Sequence, residues 1–193
     1  MLVTIESCTE NPVELIAKAA RVCYDSKSTG IDSDIALVRN CINRGHESVL
    51  EHAVFVFNVN GISRACLAQL TRHRICSFSV RSQRFVKEDG FRYVIPESIT
   101  SHDWTDIYVT AMLGIQKIYD GMIKVGIPKE DARYILPNAC ETNVIMTMNL
   151  REVRHFMKLR MDKAAQWEIR KLANKIFELI QNIDPVLVEG ITQ

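Results

Sequence analysis

Residues 48–74, SVLEHAVFVFNVNGISRACLAQLTRHR, change hydrophobic period twice within one short run. Ser48-Val49-Leu50-Glu51 has capping-box spacing and predicts the start of a short helix. Ala53–Val59 is strongly apolar and predicts a buried strand, closed at Gly61. Ser63 is placed to cap a following helix through Leu70, which delivers Arg72-His73-Arg74 at its end. Helix, strand and helix thus follow one another without the strict alternation of a parallel α/β chain. That order favours an α+β fold.

Working outward, Met1–Ser7 alternates as a strand does, and Asn11-Pro12 opens a helix with a good cap and a proline suited to the first turn. A second amphipathic helix runs from about Asp32 to Asn43 and ends near Gly45. Downstream, Cys76–Ser82 reads as a loop or irregular strand, and Arg84–Val94 as a hairpin turning at Asp89-Gly90. A long helix spans roughly Trp104–Val125, a short one Pro128–Tyr134, and Thr142–Met148 is a β-branched, apolar strand. Asn149 with Glu152 repeats the capping-box spacing, starting a helix to about Leu159. Ala165, Ile169, Leu172, Ala173, Ile176, Ile180 and Ile183 mark a long C-terminal helix, with Trp167 and Ile169 expected in the core. No repeat or linker breaks the pattern. A single domain over residues 1–193 is expected, with a central mixed or antiparallel sheet flanked by helices.

Composition narrows the function. The 193 residues are 47% hydrophobic and 24% charged, with a formal net charge of +1. That is ordinary for a folded protein and lacks the global basic excess of one that grips a nucleic-acid backbone. No apolar stretch nears the roughly 20 residues needed to span a bilayer, and no secretory leader is visible. The six cysteines are scattered without a Cys-x-x-Cys pair, so neither a disulfide framework nor a metal site is expected, and a reducing cytoplasm fits.

The positive charge that exists is local. Arg64, Arg72, Arg74, Arg81, Arg84, Lys87 and Arg92 fall in one short region with His73 among them. Guanidinium forks match phosphate oxygens in bidentate fashion, and Ser82 with neighbouring backbone N–H groups completes an anion nest. On charge alone, this region is equally a solvated basic face.

The wider pattern separates those readings. Arg72-His73-Arg74, seven residues, and then Ser82-Gln83-Arg84-Phe85 resembles the signature of the flavin-dependent thymidylate synthases. Gly45-His46-Glu47-Ser48-Val49-Leu50-Glu51-His52 and Gln69-Leu70 precede it in family order. Arg133 with Leu136-Pro137, Asn149-x-Arg151, His155-Phe156, Leu159-Arg160 and Ala165-Gln166-Trp167-Glu168-Ile169-Arg170 follow it. The match covers about residues 45–170.

The resemblance implies reductive methylation of dUMP to dTMP by a homotetramer, with FAD bound, methylenetetrahydrofolate giving the carbon and NADPH reducing the flavin. Carried onto this chain, Gln69, Leu70, Thr71, Arg72, Val80, Arg81, Ser82, Gln83, Arg84, Arg133 and Arg160 would hold dUMP. His46, Ser48, Arg72, His73, Arg74, Val80, Asn149, Leu150, Arg151 and His155 would meet FAD. Arg160 would face the uracil as the catalytic residue, favouring its electron-rich form. No protein nucleophile is needed, so Cys76 is expected to be a packing residue. Val80 departs from the polar residue many relatives carry there, which keeps open a second expectation: a flavin- or nucleotide-binding protein without synthase activity. An RNA-binding module fits poorly with the near-neutral charge.

Overall fold

The computed structural model describes residues 1–191 of the chain, so residues 192–193 of the expected domain lie outside it. Strand β1 (Leu2–Cys8) leads to helices α1 (Pro12–Val22) and α2 (Ile31–Asn43) and a 3-10 turn at Glu47–His52. Strand β2 (Val54–Ser63), helix α3 (Arg64–Leu70) and strand β3 (Ser77–Val80) follow. Next come α4 (Glu97–Ser101), α5 (Thr105–Lys124), α6 (Lys129–Ala132) and a 3-10 turn at Arg133–Ile135. Strand β4 (Glu141–Asn149), helices α7 (Leu150–Arg160) and α8 (Trp167–Ile183) and a last 3-10 turn at Pro185–Val188 complete the fold.

The four strands form one sheet in the order β1-β2-β4-β3, each pairing antiparallel. It is therefore the antiparallel form of the expected sheet. Phe55, Phe57 and Val59 of β2 and Val144, Met146 and Met148 of β4 point to one face, where they are buried. Against that face pack α1, α3, α7 and α8, whose Ile16, Leu70, Val153, Phe156, Ile169, Leu172 and Ile176 are fully buried in the same core. A smaller core of Phe91, Met112 and Cys140, with Tyr93, Tyr108 and Leu136 around it, ties α5 to the chain before β4.

Several expectations change. Gly61 does not end β2: the strand runs on to Ser63 and the β2–β4 register slips between Asn60 and Ile62. Gly61 takes φ +75, a left-handed value that glycine adopts freely, and so makes a bulge. The bulge shifts the inward phase by one residue, so that Ile62 is buried where alternation alone places Gly61 inward. Arg84–Val94 forms no hairpin; it makes a single bridge, Tyr93 to Cys140, and is otherwise irregular. Cys76–Ser82 instead contains a true strand, Ser77–Val80, paired with Val144–Thr147. The turn at residues 47–52 is 3-10 and starts at His46, with Ser48 inside it, so Ser48 is not its cap. Asn11 precedes α1 at φ 45 and makes no side-chain cap. Ala165 lies before α8, and Trp167, its first residue, is 38% exposed while Ile169 is fully buried.

The two decisive caps hold. Ser63 Oγ accepts from Cys66 N–H at the start of α3, and Asn149 Oδ1 accepts from Glu152 N–H at the start of α7. Ser63 is itself anchored by Glu168 of α8, whose buried carboxylate accepts from Ser63 N–H at 2.7 Å and from the Ser63 hydroxyl. Arg154 of α7, almost wholly buried, donates to Leu187 O and Glu189 O and so satisfies the final turn. No helix among the described residues is long and apolar enough to cross a membrane. Glu168→Ala orphans two buried donors, each worth about 1–3 kcal/mol. The expected result is a lower urea midpoint at unchanged slope; an unmoved midpoint would show that the Ser63 anchor is dispensable.

Candidate functional site

Helix α3 ends in a tightening turn. Thr71 N–H bonds to Leu67 O, Arg72 N–H to Gln69 O and His73 N–H to Leu70 O. This twist sends His73 inward, where it is 4% exposed, and leaves Arg72 and Arg74 at the surface. Among the described residues, neither Arg72 nor Arg74 pairs with a carboxylate.

His73 lies against α7. Glu152, Phe156 and Arg160 recur every four residues and share one helical face. His73 Nδ1 is 2.9 Å from Glu152 Oε1, and the Phe156 ring meets the imidazole edge-on at 4.9 Å. Arg160 Nε donates to His73 Nε2 at 3.0 Å, and its Nη2 to Gln69 O at 3.3 Å. Because a guanidinium can only donate, Nε2 must accept. The ring proton of the neutral imidazole therefore sits on Nδ1 and is donated to Glu152. Burial lowers the His73 pKa from its usual value; the Glu152 hydrogen bond opposes this, and Arg160 adds to it. Neutral His73 is the native form.

Glu152, His73 and His155 also gather like a metal-ligand set. The donor chemistry does not fit, since Nδ1 carries its proton and Nε2 is taken by Arg160. Cys76 lies beside Glu152, and burial together with that carboxylate pushes its thiol up to about 12. Such a thiol is a poor nucleophile at neutral pH.

Beyond this junction, two adjoining clefts share Glu47 and Arg151. One, of about 640 Å³, is lined by His46, Ser48, Arg44, Tyr24 and Arg151. The other, of about 400 Å³, is lined by Ile75, Asn149, Glu152, His155, Glu51 and Arg151. Thus His46, Ser48, Asn149, Arg151 and His155 come together around Arg151. Arg151 Nη1 donates to Glu51 at 2.6 Å.

The segment after β3 makes a third group. Arg64 Nη2 donates to Arg81 O at 2.8 Å, and Arg81 pairs with the buried carboxylate of Glu88. Ser82 Oγ accepts from Arg84 N–H, closing a small turn. Arg84 Nε meets Glu130 Oε2 at 2.6 Å, while Arg133 Nε donates to Glu130 O, so both arginines converge on one residue. Gln83 is buried. Val80 ends β3 opposite Val144 and packs on the main core, an apolar duty that accounts for its side chain.

Two expected contacts are limited by packing. The side chains of Leu70 and Leu150 are fully buried, and Leu150 N–H is taken by Ala53 O, so neither side chain reaches a cleft. Thr71 donates its hydroxyl to Leu67 O. Conversely, Glu152, Glu51, Glu130 and Glu88 shape the site without having been singled out for it in the sequence. The spacing Glu152-x3-Phe156-x3-Arg160 was the readable signal for the first of them.

Comparison with known proteins bears on this geometry. The family model described as thymidylate synthase complementing protein matches residues 4–186. A flavin-dependent thymidylate synthase of Geobacter sulfurreducens is 42% identical over 199 residues, covering 97% of this chain and 85% of that protein. The enzyme of the same name from Pyrococcus abyssi is 43% identical over 190 residues, covering 92% and 78%. Among solved structures, flavin-dependent thymidylate synthase ThyX of Helicobacter pylori, complexed with FAD and dUMP, superposes with a TM-score of 0.83 at 24% identity over the full length of both chains. A second structure of that protein with FAD and dUMP gives 0.80 at 25%, covering 99% and 98%.

The lowered His73 pKa fixes a sign. The fold favours neutral imidazole, so His73 contributes stability above its unfolded pKa of about 6.5. That contribution is lost as the pH falls from there through the folded value, because the unfolded chain takes up the proton first. Unfolding free energy measured from pH 7 to 5 should fall less steeply in His73→Gln than in the native protein. Equal slopes would contradict the assignment.

Proposed function

This chain belongs to the flavin-dependent thymidylate synthase family, and from that premise we propose how its residues divide the work. The reaction is methyl transfer that converts dUMP to dTMP on an enzyme that binds FAD. In the proposal, methylenetetrahydrofolate supplies the carbon, NADPH supplies reducing power, and the working form is a cytoplasmic homotetramer of a single-domain chain. What carries the assignment of roles is the junction of Gln69, His73 and Arg160, with Arg72 and Arg74 exposed on either side.

Arg160 is the catalytic residue. Uracil is a weak carbon nucleophile, and negative charge stabilised on the ring makes carbon-5 more reactive. A guanidinium already held in place supplies that stabilisation without moving a proton. Arg84 and Arg133, which converge on Glu130, with Ser82 beside them, are suited to the nucleotide phosphate. Phosphate binding remote from the reacting carbon orients the base. The phosphate competes with an exposed Arg84–Glu130 pair, which is worth about 0–1 kcal/mol. Gln69, Thr71, Arg72, Arg81, Gln83 and the backbone at Leu70 and Val80 complete the nucleotide side.

The residues present fit FAD. Arg72, Arg74 and Arg151 offer guanidinium donors to a pyrophosphate, and His46, Ser48, Asn149 and His155 border the clefts that Arg151 joins. His73 and the backbone at Val80 and Leu150 are assigned to the same cofactor. When bound, the flavin supplies the hydride that completes the methyl group. The chain's own task is to bind, orient and polarise. Cys76, with its raised pKa, has no part in bond making. The alternative of a binding protein without synthase activity is not favoured, since Val80 has a packing role in β3.

The test is direct. Purified protein should carry a flavin spectrum and form thymidylate from dUMP, methylenetetrahydrofolate and NADPH. Arg160→Ala should keep its flavin and lose turnover by about 100-fold or more, the scale seen when a preorganised donor is removed. Unaltered turnover in that variant would overturn the role of Arg160, and colourless protein unable to take up FAD would overturn the whole assignment.

A further inference from the structure

We propose that Glu152 is a positioning residue for Arg160, acting through His73. The proposal rests on the role of Arg160 assigned above and adds the means by which its guanidinium is aimed.

Three buried or half-buried groups form one chain of hydrogen bonds, from Arg160 to His73 to Glu152. The His73 and Glu152 side chains are only 3% and 8% exposed, so little solvent competes for their hydrogen bond. Glu152 accepts the Nδ1 proton and thereby selects the tautomer that leaves a lone pair on Nε2. That lone pair receives Arg160 Nε–H, while Gln69 O receives Nη2. With two of its nitrogens held by the protein, the guanidinium presents the rest of its fork in a fixed direction.

The opposite tautomer would point Nε2–H at Arg160 N–H and leave the buried carboxylate without its donor. Protonated His73 would repel Arg160 in the same way. The charged or titratable groups facing His73 are Glu152, His155 and Arg160, all on α7, while Cys76, from the segment before β3, faces Glu152. Among them, Glu152 alone is a carboxylate. It is thus the group that decides which ring nitrogen carries the proton. Its backbone N–H is already held by Asn149 Oδ1, which fixes where the side chain begins.

The experiment compares Glu152→Ala, Glu152→Gln and Arg160→Ala in the flavin-loaded enzyme. It records kcat and KM for dUMP across pH, together with the ring-nitrogen NMR spectrum of ¹⁵N-histidine-labelled protein. Glu152→Ala should retain FAD and lose about 10- to 100-fold in kcat, the scale of a misplaced catalytic group. Its His73 signal should show mixed tautomers. Glu152→Gln keeps an oxygen acceptor for Nδ1–H but not the charge. It should lose less in kcat, keep the Nδ1-protonated signal, and move the acid limb of kcat/KM to lower pH, because the carboxylate that favours protonated His73 is gone. A purely structural role moves neither tautomer nor acid limb. Native kcat, tautomer and acid limb in both Glu152 variants, with turnover lost in Arg160→Ala, would overturn this proposal alone. Turnover retained in Arg160→Ala would overturn the underlying role as well. If Glu152→Ala does not fold, the acid limb and tautomer of Glu152→Gln decide.

Discussion

The antiparallel pairing of β2 with β4 is the constraint on which the site depends. Val54 lies opposite Asn149 and Ser63 opposite Glu141, so the C-termini of the two strands lie at opposite ends of their ladder. Helix α3 leaves one end and α7 the other, and both lie over the same apolar face. The chain beyond α3 must then return to begin β3, whose Ser77 pairs with Thr147 close to the end of β4. That return path carries His73 along α7, against Glu152, Phe156 and Arg160. A slip of one residue in β2–β4 would turn Phe55, Phe57 and Val59 outward and dismantle the surface both helices rest on.

Much of this was legible because local chemistry decided it. Ser63 and Asn149 are caps whose side chains reach their own helix within three residues, so sequence spacing and geometry are the same fact. The long apolar stripe of α8 reads equally well, since a helix of that length has one face to bury. What failed depended on distant partners. Arg84–Val94 has a hairpin's turn residues but no cross-strand apolar pairs, and it is held instead by α5, through Tyr119 Oη accepting from Glu88 N–H and Gln116 accepting from Phe91 N–H. Residues 77–80 looked irregular because β3 is short and sits at the sheet edge, where one neighbour supplies all its pairing. Gly61 has a strand-ending residue's identity and a bulge's function; only the partner strand distinguishes them.

The site shows the same division. The motif blocks named the arginines, but not Glu88 and Glu130, which pair with Arg81 and Arg84, nor Glu152. Glu152 was read as a capping partner of Asn149, and its backbone is that; its side chain turns away from the cap to His73. Two roles shared one residue, and the local one concealed the other. Val80 shows the converse, since its departure from a polar pattern is explained by the packing of β3 on the core.

Burial determines what each ion pair can do. Arg84 and Glu130 are 58% and 48% exposed, so their attraction is largely screened and a dianionic phosphate can displace the carboxylate at little expense. Arg151 with Glu51 is similarly exposed, which leaves it free to exchange partners at the cleft that joins its neighbours. The His73–Glu152 contact has no such freedom. With both side chains almost wholly buried, removing either leaves a buried polar group short of its partner, which costs more than breaking an exposed pair. The arrangement therefore separates two functions that charge alone would blur. Exposed pairs keep guanidinium groups available for anions, and the buried chain through His73 keeps Arg160 pointed in one direction. Arg160, half-buried between these regimes, is anchored on its protein side by His73 and Gln69 and keeps the remainder of its fork for the ring it is assigned to polarise.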